Sequence, residues 1–335
     1  VVTVGAGEPW DDPRVLRLAL VGLDSSHADH YVRLVEVERR WPGVRVVALV
    51  DGEPARRAEL AAAGGLSLGA GEVTVPDVVG RVDAAIVAHR AGRLHGTAAR
   101  ALLRAGVPVL VDKPFAASVA DARATLDVAR VHGTAVTTAS ALRFAPQVAA
   151  ARDVLAATAG RGLATARPGN PAAPEDGTTT SPGPAVEVSG PADPRDERDG
   201  LFFLGIHVVE AARAVVGGAP GAAWAPPVVT TSTDGIVATT RLDGVDVRLA
   251  LLDPGSHPTA GFAVAVRTPG GVERAEVVLD ADYLAPVVEH ALAVLAPALG
   301  ATASADEDAA RGDATHATVL ADLALLEQIT AAVRA

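Results

Sequence analysis

Five short apolar runs, separated by amphipathic stretches, set the limits on what this chain can fold into. They are residues 17–22 (RLALVG), 44–50, 82–88 (VDAAIVA), 107–111 and 134–140. Runs this short and this uniformly apolar read as strands buried on both faces. The stretches between them carry helix punctuation. Pro54 opens one helix, Gly106 closes another that begins at His95, and Ser118 with Asp121 three residues on starts a third that Gly133 ends. Strict alternation of strand and helix over short connections predicts a doubly wound parallel sheet. In open sheets of that kind, ligands bind beyond the carboxyl ends of the strands.

The pattern changes after Arg143-Phe144-Ala145-Pro146. A helix to about residue 157 and a short strand near 163–167 are expected next. A stretch rich in Pro, Gly, Ser and Thr, residues 168–194, then reads as a flexible loop or lid. An apolar helix spans 201–216. Alternating segments follow at 228–233, 236–242, 245–252, 262–268 and 272–279, with Asp234-Gly235, Asp243-Gly244 and Pro269-Gly270-Gly271 at hairpin positions. These predict a mostly antiparallel sheet, and helices at 283–299 and 314–333 finish the chain. The expected fold is therefore α/β plus α+β. Residues 14–141 form the parallel-sheet domain and 142–335 the second domain, a division that suits 335 residues.

Composition narrows the function. With a formal net charge of -11 and no basic patch, nucleic acid is not an expected partner. The chain has no cysteine, so disulfides, thiolate zinc sites and thiol nucleophiles are excluded. Residues 1–12 lack a basic segment followed by an apolar one, and no run of about 18 apolar residues stands out. A cytoplasmic protein with no membrane association is the expectation.

Only one lysine occurs among the 29 Lys and Arg residues. It is Lys113, in Val111-Asp112-Lys113-Pro114, delivered to the end of a strand by the apolar run before it. An ammonium can release its proton and enter a small polar pocket where a planar guanidinium cannot, so a lysine kept in a chain that otherwise uses arginine reads as a site of chemistry; the alternative is one surface lysine left by codon bias. The first strand runs into Gly22-Leu23-Asp24-Ser25-Ser26-His27. Set against G-x-G-x-x-G, Asp24 and His27 replace the second and third glycines. Taken alone, this stretch suits a plain strand-to-helix turn capped by Asp24 or Ser26 as well as it suits a dinucleotide turn. Asp51, about 30 residues on at the next strand end, is placed for an adenosine ribose or for a local cap. His207 and Glu210 share a face of the apolar helix one turn apart, where a histidine serves either as a satisfied core residue or as a proton carrier. No spacing makes His27, His30 and His207 a metal site, so no metal is expected.

Taken in order, His95 before Ala105-Gly106, Asp112-Lys113-Pro114, Arg143-Phe144-x-Pro146 and Gly205-x-His207-x-x-Glu210 ahead of a β-sheet resemble the Gfo/Idh/MocA (glucose-fructose oxidoreductase / inositol dehydrogenase) family. The Asp-Lys-Pro turn looks like that family's Glu-Lys-Pro with Asp for Glu. The resemblance covers nearly the whole chain and implies a Rossmann domain followed by a substrate-binding and oligomerisation domain. It implies Lys113 and His207 as catalytic residues, with Lys113 polarising a carbinol and His207 taking its proton. It implies Gly22, Asp24, Ser26, His27, Asp51, His95, Asp112 and Lys113 as cofactor-binding, with Arg143, Phe203 and His207 lining the substrate. The implied cofactor is NAD, with NADP left open by Arg56 and Arg57. The expected substrate is sugar-like or cyclitol-like, and the expected assembly a homodimer or homotetramer. Two features depart from the family pattern: the glycine turn, and Phe203, which stands where the family commonly has an aspartate four residues before the histidine. A cofactor-free binding protein and a reductase of a flatter, peptide-like or bilin-like ligand are the alternatives these departures keep open.

Overall fold

The computed structural model describes residues 15–67, 73–165, 185–295 and 305–335. Its first sheet is parallel throughout, in the order β2-β1-β3-β4-β5, from β1 (Leu16–Val21), β2 (Val44–Val50), β3 (Ala84–Val87), β4 (Val109–Val111) and β5 (Val136–Thr137). These are the five apolar runs, trimmed at their ends. Pairing continues one residue past three of the strands: Gly22 N–H donates to the Val50 carbonyl at 3.0 Å, Ala88 N–H to Val21 at 2.7 Å and Asp112 N–H to Val87 at 2.9 Å. Register therefore sets the glycine turn, the loop after β3 and the lysine turn side by side on one edge. Chain order reverses about β1, with β2 on one side and β3 on the other, which is where a doubly wound sheet leaves a crevice.

Helices cover both faces. α1 (His27–Val32) runs on into one π-helical segment, Arg33–Val37, and is followed by α2 (Pro54–Gly64), a single turn α3 (Val75–Val78), α4 (His95–Arg104) and α5 (Val119–His132). Ser118 accepts from Asp121 N–H at 3.1 Å, and Gly133 adopts φ 61°, so both ends of α5 are closed as its sequence dictates. At α1 the capping differs from expectation. Ser25 Oγ, not Asp24 or Ser26, accepts the His27 N–H, at 3.2 Å.

The second half contains α6 (Pro146–Thr165), β6 (Val186–Pro191), α7 (Leu201–Val216), β7 (Val228–Ser232), β8 (Gly235–Leu242), β9 (Val245–Leu252), β10 (Phe262–Thr268), β11 (Gly271–Val277), α8 (Ala285–Leu295) and α9 (Ala305–Arg334). Its sheet runs β11-β10-β6-β9-β8-β7 and is antiparallel apart from the β6–β9 pair. Two expectations are corrected. α6 continues through Thr165, so the residues expected to start a strand at 163 are helical. Within the stretch read as a loop, 168–184 lie outside the described residues, while 186–191 form a central strand. That strand carries Gly190 because a Cβ there would lie 2.2 Å from the Phe262 ring.

α7 packs on β6 and β9 and shares one apolar core with α9 and one face of the parallel sheet. α8 returns to the other face, where Val287, Val288 and Ala291 join Leu20, Tyr31 and Leu110. Within α9, Thr315–Arg334 has the length and apolar composition to cross a membrane, unlike the sequence expectation. Its apolar residues have another use, since Leu323, Leu325, Leu326 and Ile329 are buried in the core. Its Asp322 accepts hydrogen bonds from Arg213 and from Trp224 Nε1.

Candidate active site

The lysine turn is built from behind. Asp112 is 3% exposed, and both its oxygens are engaged. Oδ1 accepts the Lys113 N–H at 2.7 Å, and Oδ2 lies 2.6 Å from His27 Nδ1. Burial alone would raise this carboxyl, but the His27 imidazole, with Lys113, holds it at about 2. Lys113 joins Pro114 through a cis peptide bond. His95 is fully buried beneath the turn, with Nδ1 2.8 Å from the Pro114 carbonyl and Nε2 2.7 Å from the His89 carbonyl. Expected at the cofactor, His95 instead ties the loop after β3 to the lysine turn.

His27, at the end of the glycine turn, has its ring drawn toward Asp112, edge-on to Tyr31 and Tyr283 at 6.5 and 5.8 Å between centroids. There it lines a cavity of about 160 Å³ together with Asp112, Lys113, Leu142, His207 and Tyr283. The start of α1, the end of β4, α7 and the segment before α8 thus converge on one pocket. His207 is buried, with Nδ1 2.5 Å from Ser140 Oγ. Burial first, then the nearby Lys113 and His27, press its protonated form down well below the usual imidazole range. Glu210, one turn on, accepts the Ser140 N–H at 2.8 Å, and its carboxyl is pushed up to about 7, chiefly by burial. Ser140 and Tyr283 were not among the expected site residues. Ser140 had only its place at a strand end to mark it, and Tyr283 had no signal in its own segment.

Lys113 Nζ lies 4.4 Å from the centre of the Phe203 ring and 3.5 Å from the Phe203 carbonyl oxygen. Arg198 stacks on the same ring at 3.6 Å. Burial pushes the ammonium down; Asp112 opposes this, and Arg198 adds to it. Phe203 therefore covers the lysine with a ring face and a carbonyl oxygen. It also lines a second cavity of about 380 Å³ with Asp193, Asp196, Arg198 and His257, and Leu204 borders both cavities. Arg143, expected at the substrate, is exposed and lies against Phe144 outside the smaller pocket's lining.

The residues of the glycine turn fit a dinucleotide. Gly22 has φ 82°, and a Cβ there would lie 2.6 Å from His89 N, so only glycine lets β1 and the loop after β3 approach so closely. Asp24 and Ser26 are exposed. The Asp24 carboxylate accepts the Arg90 N–H at 3.1 Å and so spans the crevice sideways. Asp51 stands exposed at the end of β2, at φ 53°. Asp51 would hold the adenosine ribose, with Gly22 and Ser26 beside the phosphates.

A parallel sheet with its switch point at β1 and a glycine turn at its carboxyl edge is an arrangement of the dinucleotide-binding class. Residues 16–140 match the family model described as "Oxidoreductase family, NAD-binding Rossmann fold". The N-terminal domain of this chain is thus similar to the Gfo/Idh/MocA oxidoreductase family's NAD-binding Rossmann domain. No curated protein sequence matches the chain. Among solved structures it is similar to GenD2 from gentamicin A biosynthesis in complex with NAD, at 18% identity and TM-score 0.66 over 95% of each chain. It is similar to a myo-inositol dehydrogenase from Corynebacterium glutamicum at 18% identity and TM-score 0.61, covering 95% of this chain and 97% of that one. UDP-N-acetylglucosamine 3-dehydrogenase from Acidithiobacillus ferrooxidans gives 18% identity and TM-score 0.57 over 95% and 98%. These likenesses establish the fold across both halves.

Proposed function

We propose that this protein is an NAD-dependent dehydrogenase that moves hydride between the nicotinamide cofactor and the carbinol or carbonyl of a sugar-like or cyclitol-like substrate. The observation that carries this reading is the pocket in which the sole lysine, Lys113, meets the imidazoles of His27 and His207 beside the glycine-turn edge. When bound, the cofactor supplies the hydride acceptor. The chain's own groups bind and polarise: Lys113 donates to the reacting oxygen, and the imidazoles handle its proton. Leu142, Leu204 and Phe262 supply apolar walls that exclude water. A cavity of about 160 Å³ suits a single polyol ring, and the adjoining one accommodates a substituent. The neighbours named as inositol and sugar-nucleotide dehydrogenases support the same substrate class.

NAD is favoured over NADP because both candidate arginines are occupied. Arg56 donates to the Leu23 carbonyl at 3.0 Å and pairs with Asp29 and Glu59, and Arg57 donates to the Gly52 carbonyl at 3.0 Å. Neither guanidinium is left for a 2′-phosphate. Titration with NADH and NADPH, read by energy transfer from tryptophan to the nicotinamide, tests the proposal. Micromolar binding of NADH, weaker binding of NADPH, and turnover in a polyol and sugar screen are expected. If neither cofactor binds and denatured protein releases none, the cofactor-free binding protein replaces this reading.

A further inference from the structure

The two imidazoles of the pocket are held in opposite ways, and their partners decide what each can do. Asp112 is a carboxylate, an acceptor only, and its other oxygen is already fixed by the Lys113 N–H. At 2.6 Å from His27 Nδ1 it keeps the ring proton on that nitrogen. The bare Nε2 of His27 is thereby left to the pocket that His27 lines. His207 faces a hydroxyl instead. Ser140 Oγ accepts the Leu142 N–H at 3.2 Å and keeps its own proton and a second lone pair for His207 Nδ1, at 2.5 Å. With the hydroxyl proton on that bond, the ring proton of His207 sits on Nε2, as a donor.

We propose that His27, oriented by Asp112, is the group that takes the substrate's proton, while His207 and Lys113 donate hydrogen bonds to the same oxygen. This assignment rests on the dehydrogenase reading above and deepens it. In the oxidation of a carbinol, the O–H bond breaks and its proton passes to His27 Nε2. The C–H bond releases hydride, with its electron pair, to the oxidised nicotinamide cofactor, and the C=O double bond forms. Reduction retraces these steps.

Electrostatics separates the two candidates. The groups facing His27 are Asp112 from β4, Lys113 from the turn, Tyr31 and His30 on its own helix, Tyr283 ahead of α8 and His207 on α7. Of these only Asp112 is anionic, and an imidazolium formed at His27 lies directly against it. An imidazolium formed at His207 is buried, has a neutral hydroxyl for its direct partner, and is opposed by Lys113 more than it is favoured by Asp112. Phe203 leaves α7 without a carboxylate at the place where a partner would have stood. The carboxylate–imidazole pair of the pocket is supplied from the parallel sheet instead.

The test uses full-length protein labelled with 15N-histidine, together with steady-state kinetics. Long-range 15N–1H correlation spectra at neutral pH are expected to show His27 protonated on Nδ1 and His207 on Nε2, with the His27 tautomer lost in Asp112→Asn. A His27 proton on Nε2 overturns the proposal whether or not a substrate is known. With NAD and myo-inositol as the first probe of a polyol panel, His27→Asn is expected to lower kcat about 10²-fold or more at little change in KM or NADH affinity. Imidazole is expected to restore part of that rate, and the pH dependence of kcat to flatten. His207→Asn is expected to act mainly on KM. A larger loss of kcat in His207→Asn than in His27→Asn overturns the assignment. Wild-type protein that binds NADH but oxidises no polyol contradicts the substrate class, and the tautomer spectra then decide on the His27–Asp112 pair by themselves.

Discussion

In the proposed reaction Lys113 polarises the reacting oxygen. Its ammonium is the pocket's only formal cation from a lysine, and Phe203 offers it a ring face and a carbonyl in place of a carboxylate. Lys113→Met keeps the stem and removes the charge. It is expected to lower kcat/KM on a polyol substrate by about 10²–10⁴-fold while leaving NADH affinity within about threefold, as read by tryptophan energy transfer. Asp112 gives the pH signature. Its folded value of about 2 lies below the roughly 3.9 of an unfolded aspartate, so its contribution is complete above about pH 4 and is lost as pH falls toward 2. The difference of about two units corresponds to about 2–3 kcal/mol. Urea unfolding of Asp112→Asn is therefore expected to vary less between about pH 4 and pH 2 than that of the parent protein. The sole lysine and the Asp-Lys-Pro turn were legible in the sequence because they are local. The contact between Asp112 and His27, 85 positions apart, was not.

Among the elements, the helices and the five parallel strands follow their local signals closely, because apolar runs, Ser118, Pro54 and the closing glycines act within a few residues of themselves. β6 shows the opposite case. Its sequence, VEVSGP, follows a stretch rich in Pro and Gly, and nothing local distinguishes it from a loop. It becomes a strand because β9 on one side and β10 on the other provide hydrogen-bonding edges in register, Val188 pairing with Leu249 and with Val264. Gly190 within it lies under Phe262 and Val208, with hypothetical Cβ distances of 2.2 and 3.1 Å. Gly190→Ala must displace a packed ring, so a loss of about 1–3 kcal/mol is expected, measured by thermal or urea unfolding. Retention of wild-type stability would show that Phe262 swings away freely.

Across the whole molecule, the pocket exists only where the two halves meet. Asp199, its side chain fully buried, accepts the N–H groups of Gly92 and Arg93 and so fastens the entry of α7 to the loop after β3. Asp199→Ala leaves both donors without that partner. It is expected to cost about 2–4 kcal/mol in urea unfolding and to lower kcat, since His207 rides on α7 and Lys113 on the parallel sheet. An unchanged midpoint would show that other contacts hold the halves in place. The sequence by itself determined the alternation of strand and helix, the antiparallel hairpins at Asp234-Gly235 and Asp243-Gly244, and the place of Lys113 at the carboxyl end of a parallel strand. Each of these depends on backbone preference or burial read over a few neighbouring residues. The tertiary structure alone decided that His95 is a buried clamp, that Arg143 lies outside the smaller pocket and that His27 faces Asp112. Those outcomes depend on which side chains meet across α1, the end of β4, α7 and the segment before α8, and proximity between segments so far apart in the chain is fixed only when the sheet and the core close.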